Sequence, residues 1–118
     1  MPSITAALHD LLAAHELTVD EALTRHVTDD YRQSTDGDWI DRAAFAAHLT
    51  GLRAAIDAVE FEVLSELTQG DAYAERHIVT ITLRDGSRRR QEVYLFAQLA
   101  ADGRFARLEE LTRPLPIA

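Results

Sequence analysis

A change of period near Val59 constrains this chain more than any other feature. Before it, apolar residues recur at spacings of three and four. After it they alternate with polar ones almost to the end, broken at Gln69-Gly70, Asp85-Gly86 and Asp102-Gly103. Period two is the pattern of strands with one buried face, and short glycine-containing breaks between such runs are hairpin turns. Strands are therefore expected near 59–68, 71–84, 88–100 and 104–113, as an antiparallel meander. Helices first and a meander after them define an α+β domain, whose long strands must twist and curl around the longest helix.

Three helices precede the meander. Ser3 is a suitable N-cap for a first helix carrying Ile4, Leu8, Leu11 and Leu12 on one stripe and ending near His15. Thr18-Val19-Asp20-Glu21 matches a capping box and predicts a second helix to about His26. Ser34 to Asp38 are turn-formers, Tyr31 fits a short strand before them, and Trp39 closes the loop. Asp41 is the expected N-cap of the third helix, with Ile40 and Phe45 as its hydrophobic staple. Phe45, Leu49, Leu52 and Ile56 fall within a narrow arc, and His48 lies on its edge, aimed toward whatever the helix covers.

Composition narrows the classes of function. The 118 residues, 47% of them hydrophobic, fit one domain over 1–118. No apolar run approaches the roughly 20 residues of a membrane span, and the N-terminus lacks the pattern of a secretory signal, so a cytoplasmic protein without membrane contact is expected. With no cysteine there is neither a disulfide nor a thiolate site, and with no lysine there is no Schiff base. A net charge of −8 argues against nucleic acid. The basic cluster Arg88-Arg89-Arg90 follows Asp85-Gly86 and reads as a solvated hairpin end, with a phosphate or acidic partner as the alternative.

Residues 71 to 81, DAYAERHIVTI, set Glu75, Arg76 and His77 side by side in a strand built for a sheet interior. Alternation splits the triplet: Glu75 and His77 share one face, and Arg76 takes the other. A two-residue turn at Asp85-Gly86 would set His77 opposite Tyr94, Glu75 opposite Phe96 and Val79 opposite Glu92. One face would then hold Tyr73, Glu75, His77, Tyr94 and Phe96. The other would be more aliphatic and suited to a second subunit. A three-residue turn with a glycine bulge would shift the pairing by one. In the last strand, Glu109 and Glu110 remain alternatives for the pocket face, and Glu110 is carried as the candidate.

The order of elements, with YRQSTDGDWIDRAAF in the middle, AERHIVTITLRDG and EVYLF in the sheet and GRFARLEELTR at the end, resembles the nuclear transport factor 2-like superfamily, specifically its SnoaL-like branch. The resemblance covers nearly the whole chain. It implies an α+β cone in which three N-terminal helices pack on a strongly curved antiparallel sheet. It further implies a deep pocket between the long helix and the concave face, and a homodimer built through the sheet. Such a fold hosts polyketide cyclases, isomerases, dehydratases, epoxide hydrolases and members that only bind or assemble. Cyclases of this kind use a pocket carboxylate without a cofactor, for which Glu75, Glu92, Glu109 and Glu110 are available. The isomerase pattern needs an aspartate base and an aspartic acid donor, and no aspartate occurs in the interior of the strands predicted here. The dehydratase pattern would use Tyr31, Tyr94 and His77, with Glu75 in place of its aspartate.

The residues themselves point to proton transfer in an apolar pocket. Glu75 is the candidate base, since burial raises a carboxyl's pKa toward neutrality. Tyr94 or Tyr31 is the donor to a developing oxyanion, and His77 is an orienting group or second acid/base. Tyr31 and Trp39 are candidates for the pocket rim, and His48, Phe96 and Glu110 for its lining. A metal triad of Glu75, His77 and His48 is the sharper alternative, although a histidine on an apolar face is more often a hydrogen-bonded core residue. No nucleophilic-serine motif is present. The expected protein is thus a small-molecule pocket protein, either a cofactor-free acid/base enzyme on a small apolar carbonyl compound or a non-catalytic binding or dimerisation module.

Overall fold

The computed structural model describes residues 4–13 and 16–117. Three helices, α1 (Ile4–Leu12), α2 (Val19–His26) and α3 (Arg42–Ala55), pack on one six-stranded sheet. Its strands are β1 (Val27–Thr35), β2 (Asp38–Asp41), β3 (Ile56–Gln69), β4 (Ala72–Leu83), β5 (Arg88–Leu99) and β6 (Phe105–Leu115), in the order β2-β1-β6-β5-β4-β3. The α+β class and helices-first order match the sequence reading. The expected Ser3 cap and the helix end near His15 lie outside the described residues. No described helix is long and apolar enough to cross a membrane.

The two expected N-caps that fall among the described residues, Thr18 and Asp41, both form. The Thr18 hydroxyl accepts from the Glu21 amide at 3.0 Å, and the Glu21 carboxylate accepts from the Thr18 amide at 3.0 Å, closing the capping box. Asp41 accepts from the Ala44 amide at 2.9 Å and starts α3. Each cap satisfies backbone donors that the first turn leaves without helical partners. The C-terminal carbonyls of α1 are met from another element. The Arg53 guanidinium on α3 donates to the Asp10 carbonyl at 2.8 Å, to Leu11 at 2.7 Å and to Leu17 at 2.5 Å. This clamp ties the long helix to the first helix and the loop that follows it.

Two features of the sheet depart from expectation. It is mixed: β1 runs parallel to β6, pairing Gln33 with Leu108 and Thr35 with Glu110, while every other pair is antiparallel. β1 enters from a helix and not from a hairpin, so no tight turn dictates its direction. Its length is the second departure, because Ser34 and Thr35 belong to the strand. Only Asp36 and Gly37 make the turn to β2, with φ of 52° and 94°, the two positive values of a type I′ hairpin.

The β4–β5 hairpin corrects the expected register. Leu83 and Ser87 close a three-residue loop through the hydrogen bonds Leu83 N to Ser87 O at 2.8 Å and Gly86 N to Leu83 O at 2.9 Å, with Gly86 at φ 88°. Glycine there supplies the left-handed residue of the bulged loop. The pairing therefore moves by one: Glu75 faces Leu95, His77 faces Val93, Val79 faces Gln91, and Tyr94 faces Arg76. The loop at Asp102-Gly103 repeats the arrangement, with Ala100 N to Arg104 O at 2.8 Å and Gly103 at φ 87°.

Directly opposed residues share a face, so the inner face of β5 carries Val93, Leu95 and Ala97, all buried. These close on Leu11, Leu12, Phe45 and Leu49 of the helices to form the core. Each of these Val, Leu and Phe side chains withdrawn from water stabilises the fold by about 1.5–3 kcal/mol. Register shifts between Val63 and Ser65 and between Gln98 and Leu99 mark bulges, which bend strands and increase their twist.

Candidate functional site

Between the helices and the inner face lies a cavity of about 260 Å³. That is just below the roughly 300–1,000 Å³ usual for small-molecule sites. Leu8 and Leu11 of α1, Phe45 and Leu49 of α3, and Phe61, Val79 and Phe105 of the sheet make its wall apolar. Set into this wall are Tyr31, Gln33, Thr35, His77 and Glu110, with His48 on α3 exposed at the mouth.

Alternation along β4 and β6 places these groups. On the inner face Thr35, Glu110, Leu95, Glu75 and Glu66 form one cross-strand row, so the two buried-face carboxyls of the expected pocket stand two strands apart. Glu110 is the inward residue, and Glu109 points outward opposite Phe96. The Thr35 hydroxyl donates to Glu110 at 2.8 Å. Burial pushes the Glu110 carboxyl above the ordinary carboxylate range, and Asp36 adds to the push. Thr35 and His77 oppose it.

His77 and Glu75 form a buried pair. Nδ1 of His77 lies 2.7 Å from Oε2 of Glu75, and the two side chains are 1% and 0% exposed. An Nδ1–H held by a carboxylate fixes the tautomer and leaves Nε2 with its lone pair for the cavity. The Phe61 ring meets the imidazole edge-on at 5.6 Å and limits its tilt. Behind the pair, the Tyr73 hydroxyl is 2.5 Å from Oε1 of Glu75 and 2.7 Å from Oε2 of Glu66. Burial first, then those two carboxylates, push the Tyr73 hydroxyl far above its ordinary pKa.

On the opposite wall Tyr31 donates to Gln33 at 2.8 Å and packs its ring against Phe45, the centroids 5.6 Å apart and the planes tilted by 42°. Burial, then the neighbouring Glu110, raise the Tyr31 pKa well beyond the usual range, so this hydroxyl serves as a donor and not as a base.

Of the candidate residues, the structure brings Glu75, His77, Tyr31, Glu110 and His48 to the cavity or directly behind it. Three others lie elsewhere. Tyr94 and Phe96 are on the outer face, 48% and 61% exposed, because the bulged hairpin reverses the inward set of β5. Trp39 pairs with Ser34 on the outer side of β1, where Arg32 and Arg107 cover its ring at 5.1 and 4.7 Å. The alternative metal triad is not assembled: among the described residues no three His, Asp or Glu side chains gather as a ligand set. Both oxygens of Glu75 are already engaged by His77 and Tyr73. Gln33, Thr35 and Glu66 were missed. Gln33 and Thr35 alternate with Tyr31, a signal hidden by the turn-forming composition around them.

No protein-family model matches the chain. An uncharacterized protein of Schizosaccharomyces pombe, C11D3.04c, is 32% identical over 92 residues, covering 78% of this chain and 70% of that protein. Among solved structures, an NTF2-like protein of unknown function from Exiguobacterium superposes with a TM-score of 0.71 at 20% identity, over 94% of this chain and 98% of its own. A hypothetical protein of ketosteroid isomerase-like fold from Catenulispora acidiphila, in complex with trimethylamine, gives 0.70 at 11% identity, over 93% and 85% of the two chains. IdmH of Streptomyces antibioticus, provisionally assigned as a polyketide cyclase, gives 0.71 at 14%, over 92% and 88%. At these identities the solved structures speak to fold alone.

Proposed function

We propose that this chain, which has the fold of the NTF2-like proteins and belongs by its sequence to the family of the Schizosaccharomyces pombe protein, performs acid/base chemistry on a small, largely apolar carbonyl compound. The buried His77–Glu75 pair at the wall of an otherwise apolar cavity carries this reading. Nε2 of His77 takes a proton from the carbon next to the carbonyl. Glu75 holds Nδ1–H and stabilises the imidazolium that results. The carbonyl oxygen, gaining charge, is met from the opposite wall by Tyr31 or by Glu110. Burial favours the neutral form of Glu110, which can donate to an oxyanion. His48 at the mouth is the candidate to meet a polar end of the ligand.

The test is proton exchange with solvent. A panel of small cyclic ketones and enones is incubated with the protein in D2O, and loss of the α-hydrogen signals is followed by NMR. Wild type should exchange one panel member above the buffer rate, and His77→Gln should lose roughly 10²–10⁴-fold of that enhancement. Exchange at the buffer rate for every compound, with thermal stabilisation by some, would replace the enzyme by a binding protein.

A second reading concerns the outer face. Phe96, Tyr94, Leu67 and Leu111 lie there exposed, with Arg76 opposite Tyr94. Such a cluster suits a homodimer formed through the sheet, which is also the state proposed here.

A further inference from the structure

A proton taken up by His77 and Glu75 must be returned to water, and neither side chain reaches bulk solvent. A ligand in the cavity blocks the front. Behind the pair lies Tyr73, itself fully buried, and beyond Tyr73 the exposed Glu66. The Tyr73 hydroxyl sits 2.5 Å from Glu75 and 2.7 Å from Glu66, and its oxygen receives the Ile4 N–H at 3.4 Å.

A phenol has one proton to donate. It cannot satisfy two carboxylates at once, and Glu66 and Glu75 are direct cross-strand partners, where like charges repel. Both short contacts become hydrogen bonds only when one further proton resides on Glu66 or Glu75. The arrangement is therefore built to hold an extra proton and to let it change ends.

We propose that Glu66, Tyr73 and Glu75 form a relay that exchanges the proton of the His77–Glu75 pair with solvent on the side away from the cavity. The proposal deepens the acid/base reading and rests on it. Inward, water protonates Glu66. The Glu66 proton passes to the Tyr73 oxygen as the Tyr73 proton passes to Oε1 of Glu75. Glu66 is again a carboxylate, Tyr73 is again a phenol, and the buried pair has gained one proton. Outward transfer is the reverse. The concerted shift needs no tyrosinate, in keeping with a hydroxyl whose burial disfavours ionisation. Glu66 and Tyr73 act through the pair and do not touch the ligand.

The experiment measures exchange of the His77 Nδ1–H with water by saturation-transfer NMR on the full chain labelled with ¹⁵N-histidine. Tyr73→Phe and Glu66→Gln should each slow exchange by roughly tenfold or more, with the Nδ1–H chemical shift unchanged because its bond to Glu75 persists. Glu66 is exposed, so its variant keeps the test open should the Tyr73 variant fail to fold. Equal exchange rates in wild type and Glu66→Gln would overturn the relay. The measurement needs no substrate, which separates the two ideas. Slowed exchange without turnover of any ketone leaves the relay standing and removes the chemistry. Unaltered exchange beside a His77-dependent turnover does the opposite.

Discussion

Glu75 and Leu95 are cross-strand partners, and this pairing decides which side chains of the meander meet the cavity. With a two-residue turn Glu75 would oppose Phe96, and an aromatic face would line the pocket. The three-residue loop ending in Gly86 instead buries Leu95 at 5% exposure and leaves Phe96 outside.

Adjacent residues of β5 should therefore differ sharply on truncation. Leu95→Ala should cost about 2–5 kcal/mol, the range for opening a cavity in a packed core. Phe96→Ala should cost less although it removes more atoms. Urea unfolding at one low protein concentration gives both values, and a larger cost at Phe96 would restore the two-residue register.

The legible and illegible parts of the chain divide along physical lines. Thr18 with Glu21, and Asp41 before Phe45, were readable because a cap depends on residues within one turn. The inward set of β4, with Glu75 and His77 together, followed from alternation alone. The partners of that set did not, because an Asp-Gly pair serves a two-residue turn at Asp36-Gly37 and a three-residue loop at Asp85-Gly86 in this same molecule. One residue of loop length reversed the fate of Tyr94 and Phe96. Trp39 was misplaced with β2, whose four residues are too few to show a period. The parallel pairing of β1 with β6 joins segments some 75 positions apart, as the Thr35–Glu110 bond spans. No local signal reports it.

The His77–Glu75 pair should behave as one energetic unit. Removing either member strands the other as a buried polar group, whereas removing both strands neither, and the Tyr73 hydroxyl keeps Glu66. Glu75→Leu and His77→Phe should each destabilise the protein, and the double variant should be less destabilised than their sum by about 1–3 kcal/mol. Additive costs in chemical denaturation would mean that the two groups do not depend on one another.

Glu110 should give the fold a pH dependence of unusual sign. Its pKa is raised by burial in the folded state, so between the ordinary carboxylate range and that raised value the folded chain binds more protons than the unfolded one. Its contribution to stability is present below the unfolded pKa and declines as pH climbs through the folded one. Asp10 and Asp36, held low by hydrogen bonds from His26 and Thr112, work in the other direction as pH falls. Glu110→Gln isolates the term. Relative to wild type, the variant should gain stability as pH is raised from about 4 to about 8. A constant difference in urea midpoints across that range would show that Glu110 titrates alike in both states.

The outer face supplies the last prediction. Phe96 and Leu111 are 61% and 65% exposed, and around them lie Tyr94, with Arg76 over its ring at 5.7 Å, and Leu67. Arg76 is also drawn toward Glu92 at 3.3 Å, and Glu92 accepts from Arg113 at 2.9 Å, so the charges at the margin of the patch are internally paired. An apolar centre with a paired polar margin is the anatomy of a protein interface. In a homodimer through this face, Phe96→Glu would bring a carboxylate into a desolvated contact directly opposite Glu109, where like charges repel. Sedimentation should show wild type as a dimer and Phe96→Glu as a monomer with unaltered circular dichroism. A wild-type protein that stays monomeric at high micromolar concentration would remove the dimer. It would leave the cavity untouched, since the wall residues Tyr31, His77 and Glu110 all sit on the other face of the sheet.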